Sequence, residues 1–189
     1  LNSPIDARHG AGILPAMKAL ILLMAVVLVG CGTIDTSSGT SRAKLPHPSQ
    51  FESTKNRAQN GDRGSQYQLG QMYWNALGTT RNKDQALHWL KRSAQNGYPP
   101  AQHVVGVFYF SGDKVGSPMP LNQAEARRWL LKSAENGYSE SYFMLGSFYM
   151  EGIGGPIDLD KAEHWLNKAK DVNDPNAAKG IRELKSRKR

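Results

Sequence analysis

The chain has 189 residues, with 24 lysines and arginines against 16 aspartates and glutamates, a net charge of +8 and one cysteine. A single cysteine excludes an internal disulfide framework, so packing alone must hold the fold. The basic excess favours an anionic partner: a lipid surface, a polymer or nucleic acid.

The first legible element is the stretch 17–31. It opens on Met17 and Lys18, runs through an apolar core from Ala19 to Val29, and closes on Leu28-Val29-Gly30-Cys31. A positive charge, a short apolar core and small residues at the end make a secretory signal. The core is shorter than the roughly 20 apolar residues that cross a bilayer. Its ending resembles the lipobox of bacterial lipoproteins. The resemblance implies cleavage before Cys31 and a lipid on its thiol, and residues 1–30 are read as the signal peptide. Residues 1–16, with Asp6, Arg8 and two prolines, are expected to lie upstream of the true start at Met17. Gly32 stands where an aspartate would imply inner-membrane retention. The analogy therefore predicts a lipid-anchored envelope protein, on the outer membrane and facing the periplasm. Removing two bases and one acid with the signal leaves a net charge of +7. An exported protein rarely meets nucleic acid, so none is expected as a partner. Residues 31–50 read as the lipidated cysteine and a flexible tether, since small polar residues and prolines cannot bury enough surface to offset ordering.

Residues 51–189 repeat. Ala86, Trp89, Ala94 and Gly97 recur as Ala126, Trp129, Ala134 and Gly137, and in part as Ala162, Trp165 and Ala169. Between them recur Tyr67, Leu69, Gly70 and Tyr73, then Val105, Gly106 and Tyr109, then Phe143, Leu145, Gly146 and Tyr149. The period is about 36 residues, with four extra residues in the second copy's loop at 112–120. Each alanine three residues before a tryptophan shares its helix face. We name the two helices of each copy A and B in chain order. A glycine inside each helix A costs about 1 kcal/mol against alanine, which a close approach to the neighbouring helix would explain. Asn96-Gly97 and Asn136-Gly137 read as left-handed helix ends. Residues 51–61, with Ala58 and Gly61 in register, read as an N-terminal cap. Ala177, Ile181 and Leu184 form one apolar stripe of a C-terminal cap.

This pattern resembles the Sel1-like repeat, a relative of the tetratricopeptide repeat. The resemblance implies an all-α, right-handed α-solenoid of two-helix repeats. Copy three departs from it, with no Asn-Gly end to its second helix. Some secreted relatives are cysteine-rich and bind β-lactams, but this chain lacks the cysteines for that form.

No catalytic or metal-binding residues and no cofactor are predicted. His88 and His164 precede their tryptophans while Arg128 holds that place in copy two, so they form a repeated surface position and not a ligand pair. Ser93 and Ser133 also recur, which argues for packing. The sequence reads as a non-catalytic adaptor binding an envelope protein or peptide. The alternative is an enzyme or binding protein acting on cell-wall material or β-lactams. In such solenoids helix A lines the concave face. Tyr67, Gln71, Trp74, His103, Phe110, Tyr142 and Met150 are its candidate contact residues, with Gln68 beside them, and Trp74 leads them. Six basic residues near the end, Lys179 to Arg189 against Glu183 alone, offer a site for an anionic polymer.

Overall fold

The computed structural model describes residues 48–112 and 119–189. The expected signal peptide, Cys31 and most of the expected tether lie outside the described residues, as does most of the second copy's longer loop. Eight helices and no strand occur among the described residues. They are α1 (Pro48–Gln59), α2 (Arg63–Asn75), α3 (Lys83–Gln95), α4 (Pro99–Ser111), α5 (Gln123–Glu135), α6 (Glu140–Glu151), α7 (Leu159–Asp171) and α8 (Ala177–Arg187). Helices α2, α4 and α6 are the A helices, and α3, α5 and α7 the B helices. Each A helix packs on the B helix that follows it, and α1 and α8 cover the two ends. The first cap helix begins three residues ahead of its expected start. The fold is an all-α solenoid of paired helices.

Each B helix starts on a side chain that accepts from the backbone N–H three residues on. Asn82 takes Gln85, Asn122 takes Glu125 and Asp158 takes Lys161, at 2.9, 3.1 and 2.9 Å. That satisfies a donor which the helix itself leaves without a partner. The hydrogen bonds to Lys161 hold the Asp158 carboxyl below its ordinary range. The loop leading into each B helix is pinned alike, by Asn82 N–H to Tyr73 O, Asn122 N–H to Tyr109 O and Asp158 N–H to Tyr149 O. The second copy, whose loop is four residues longer in sequence, thus closes on the same bond. B helices end on a left-handed residue, Gly97 and Gly137, and in copy three Asn173 at φ 60°. Asparagine tolerates that conformation better than most side chains do.

The glycines inside the A helices mark the closest approach. A Cβ on Gly70 would lie 2.7 Å from Leu90 Cγ; on Gly106, 2.9 Å from Leu130 Cγ; on Gly146, 2.8 Å from Leu166 Cγ. The three leucines are fully buried. A Cβ on Gly180 of α8 would likewise lie 2.8 Å from Leu166 Cδ2, so the cap helix makes the same kind of approach. The tryptophans bury their rings beside this seam and lie under cations one turn on: Arg92 at 5.4 Å from Trp89, Lys132 at 4.8 Å from Trp129, and Lys168 at 5.0 Å from Trp165. Such stacked cations cover apolar surface with their stems while their charges stay in water.

Polar side chains tie each of the first two A helices both to the helix before it and to its own B helix. Gln66 Nε2 donates to Ala58 O and accepts at Oε1 from Asn96 Nδ2. Gln102 repeats both bonds with Ala94 O and Asn136. Ser93 Oγ donates to Arg63 O and Ser133 Oγ to Pro99 O, at 2.6 and 2.8 Å. This is the packing role expected of the serines. Copy three has Tyr142, Ala169 and Val172 at the equivalent places, so the ladder stops there.

Alanine normally improves an open helix over glycine by about 1 kcal/mol. At Gly106 the added methyl also meets backbone atoms, Ala126 O and Leu130 N, at 3.2 Å. Gly106→Ala should therefore destabilise the chain by about 1–3 kcal/mol in urea unfolding. The opposite sign is expected at Ala76, which ends α2 at φ 57° where α4 and α6 have Gly112 and Gly152. Ala76→Gly should stabilise by about 1 kcal/mol, the cost of a left-handed alanine.

Candidate functional site

Four of the expected contact residues are buried. Trp74 is 7% exposed and its ring packs on Phe108, with centroids 4.9 Å apart. Phe110 packs on Phe148 at 4.9 Å, and Met150 is 3% exposed. Trp74 and Phe110, each four residues after its A-helix glycine, fill the gap between successive A helices, and Met150 holds the same place in the last A helix. Large apolar groups there are drawn into the seam between repeats, which removes them from any open surface.

His103 is the fourth. It is 5% exposed, and its Nδ1 lies 2.8 Å from Ser141 Oγ. Ser141 donates its own proton to Ser133 Oγ, at 2.9 Å, and Ser133 donates to Pro99 O. Ser141 Oγ must then accept, which assigns the proton of the neutral imidazole to Nδ1. Burial holds the imidazole pKa down to about 4. This hydroxyl chain ends on a carbonyl and ties α4, α5 and α6 together.

The remaining candidates stay accessible. Tyr67 is half-buried, its hydroxyl accepts from Gln71 Nε2 at 3.0 Å, and its ring lies 5.4 Å from that of Tyr98. Gln68 and Gln71 face Gln50, Thr54 and Arg57 of α1 across an open groove of about 300 Å3. Tyr142 is half-buried too, but its ring contacts are with Trp165 and Lys168 of α7. The structure thus joins Tyr67 and Gln71, and adds Tyr98, Tyr138 and Glu140, which the sequence reading passed over. Burial, then Tyr98 and Glu140, push the Tyr67 phenol up to about 12. Tyr138 is raised as well, by burial first and then by Glu140, Tyr67 and Tyr98. Three phenols and a carboxylate from successive repeats therefore share one electrostatic neighbourhood. A signal for it was present, since a tyrosine follows both Asn-Gly helix ends.

The basic C-terminal stretch divides in two. Arg187 donates to Met150 O and pairs with Glu151 and Glu183, while Lys188 bridges Asp160 and Glu163 at 2.8 and 2.7 Å. Lys179, Arg182, Lys185 and Arg189 are exposed. Among the described residues, no group of three or more His, Cys, Asp or Glu side chains could hold a metal ion, and no helix is long and apolar enough to cross a membrane.

The imidazole of His103 gives folding a defined pH dependence. Its pKa is near 6.5 when unfolded and about 4 when folded. The unfolded chain therefore binds the extra proton first, and stability that is full above pH 6.5 falls as pH drops toward 4. The loss should reach about 3 kcal/mol, read from urea midpoints across that window, and His103→Gln should flatten the slope.

The Sel1 repeat family model matches residues 64–98, 99–138 and 139–174. The 40-residue middle match carries the longer loop. Among solved structures, a Sel1 repeat protein from Oxalobacter formigenes is 30% identical, with a TM-score of 0.65 over 70% of this chain and 97% of that one. A second, c5321, a protective antigen present in uropathogenic Escherichia coli strains, is 31% identical, with a TM-score of 0.62. That match covers 67% of this chain and 26% of the antigen. Helicobacter pylori cysteine rich protein B, 16% identical with a TM-score of 0.51, shares the fold. No curated protein sequence matches the chain significantly.

Proposed function

Because the chain belongs to the Sel1 repeat family, we propose that it is a non-catalytic adaptor whose A-helix face binds an envelope protein or peptide. The family's repeat is an interaction scaffold, with helices spaced so that side chains from several copies meet one ligand. The observation that carries the reading is the strip of half-buried tyrosines contributed by successive repeats. Tyrosine gives a large contact area with little rotamer freedom to lose, and it is enriched at interfaces. The groove beside Gln68 and Gln71 extends that face toward the N-terminal cap.

The proposal includes the anchor. The lipobox-like ending at Cys31 favours export and lipidation, and Gly32 favours the outer membrane, with the repeats facing the periplasm. The likeness to an antigen of Escherichia coli is in keeping with an envelope protein. Lys179, Arg182, Lys185 and Arg189 would add a secondary contact to an anionic polymer.

Two measurements test this. Crosslinked envelopes should yield a protein partner with the wild-type chain and lose it with Tyr67→Ala/Tyr98→Ala; an unchanged set of partners would overturn the assigned face. Intact mass of the membrane-extracted protein should show a lipid on Cys31 and no residues before it. Cys31→Ala should release the protein from the membrane. Recovery of an unmodified chain that keeps residues 17–30 would end the anchor proposal.

A further inference from the structure

The groove of about 300 Å3 between the first cap helix and the first A helix has an order along its length. Gln50, Thr54 and Arg57 stand at i, i+4 and i+7 of α1, so one face of that helix forms the first wall. Gln68, Gln71 and Met72, at i, i+3 and i+4 of α2, form the second, and Leu77 follows the end of α2. The two helices run antiparallel, with Phe51 against Tyr73 at one end and Ala58 against Gln66 at the other. Arg57 and Gln68 therefore lie at one end of the groove and Thr54 and Gln71 at its middle. Gln50, Met72 and Leu77 lie at the far end.

Each part has its own chemistry. A primary amide carries both donors and an acceptor, which match the C=O and N–H groups of an extended peptide. Gln71 gives one N–H to the Tyr67 hydroxyl at 3.0 Å, which keeps its own oxygen for accepting and the Tyr67 proton for donating. Arg57 is the one charged side chain of the lining, and it is exposed. Glu52 of the same helix pairs with Lys55 at 3.8 Å, and the Asp62 carboxylate is held by the Ser65 N–H as the cap of α2. The guanidinium thus keeps its fork of donors for a carboxylate from outside, which it can take bidentately. Met72 and Leu77 make the far end apolar.

We propose that this groove receives an extended segment of the partner protein, with an aspartate or glutamate at Arg57 and an aliphatic residue at Met72 and Leu77. The inference rests on the adaptor reading above and names the chemistry of what is bound. From Gln50 to Arg57 the helix rises about 10 Å. An extended chain covers that in about three residues, so the acid and the aliphatic side chain fall about two to four positions apart. A lysine in place of the acid would be repelled by Arg57, and a polyanion without an aliphatic residue would leave the far end unmatched.

The test uses the acetylated, amidated peptides Asp-Ser-Leu-Ser-Leu and Leu-Ser-Leu-Ser-Asp, which offer the two ends in opposite directions. A lysine-for-aspartate and a serine-for-leucine form of each accompany them, all labelled for fluorescence anisotropy and titrated with the purified full chain. At least one aspartate peptide should bind, about tenfold more tightly than its lysine form, and its serine form should bind less well. Arg57→Gln should weaken it about tenfold. Arg182→Gln, at an exposed cation of α8, should leave it unchanged. Equal losses in the two variants would reveal attraction to net charge alone and overturn the groove. So would no loss with Arg57→Gln, or no binding by either aspartate peptide. A gain in affinity with Asp35→Asn would make the chain's own tether the occupant and overturn the partner. Envelope capture with Arg57→Gln separates this from the adaptor reading. A partner lost by Tyr67→Ala/Tyr98→Ala but retained by Arg57→Gln leaves the face standing and removes the groove. Peptide binding that depends on Arg57, with no partner lost in either variant, does the reverse.

Discussion

Everything in this stack depends on how closely a leucine of each B helix can approach the backbone of its A helix. Leu90, Leu130 and Leu166 lie where a Cβ would stand on Gly70, Gly106 and Gly146. Absence of that one carbon brings each pair of helices into contact along their backbones, and the tryptophans and alanines then fill what remains. A larger residue at any of the three would separate a pair, and every later repeat would be carried on a displaced base. Packed interiors have few voids to absorb such a change.

Joining the pairs is a different matter and uses different groups. Between repeats Gln102 reaches back to Ala94 O, as Gln66 reaches back to Ala58 O of the cap, and aromatic rings lock one A helix to the next. These seams take the large residues four places after each glycine. What stays accessible is Tyr67, three places before its glycine, and the turns leading into α4 and α6, where Tyr98 and Tyr138 lie. The division between seam and face follows from geometry, since one helix cannot present the same side chain to both.

Most of the fold was legible because it repeats. A glycine in mid-helix means little once, but three at one register, each with a leucine waiting in the following helix, specify a contact. The Asn-Gly ends and the cap alanines were readable for the same reason. Trp74, Phe110 and Met150 were misread because spacing within a helix does not reveal what lies across from it, and the ring that covers Trp74 or Phe110 belongs to the next repeat. His103 was hidden likewise, since its partner Ser141 is 38 residues away. The cations near the C-terminus looked alike in sequence. Only the return of α8 past α7 separates Lys188, held by acids 28 and 25 residues back, from those left in solvent.

The two ends of the stack are fastened by unlike means. At the N-terminal end, α1 meets the first repeat through Phe51 against Tyr73 and through neutral amide bonds such as Gln66 to Ala58. At the other end the amide ladder has stopped, and α8 adds to Ala177, Gly180 and Leu184 a rim of ion pairs from Arg187 and Lys188. Dissolved salt weakens exposed charge pairs and scarcely touches neutral ones. Ionic strength therefore loosens the rim of one terminus and leaves the other indifferent, so that fraying of this solenoid has a direction set by its surroundings.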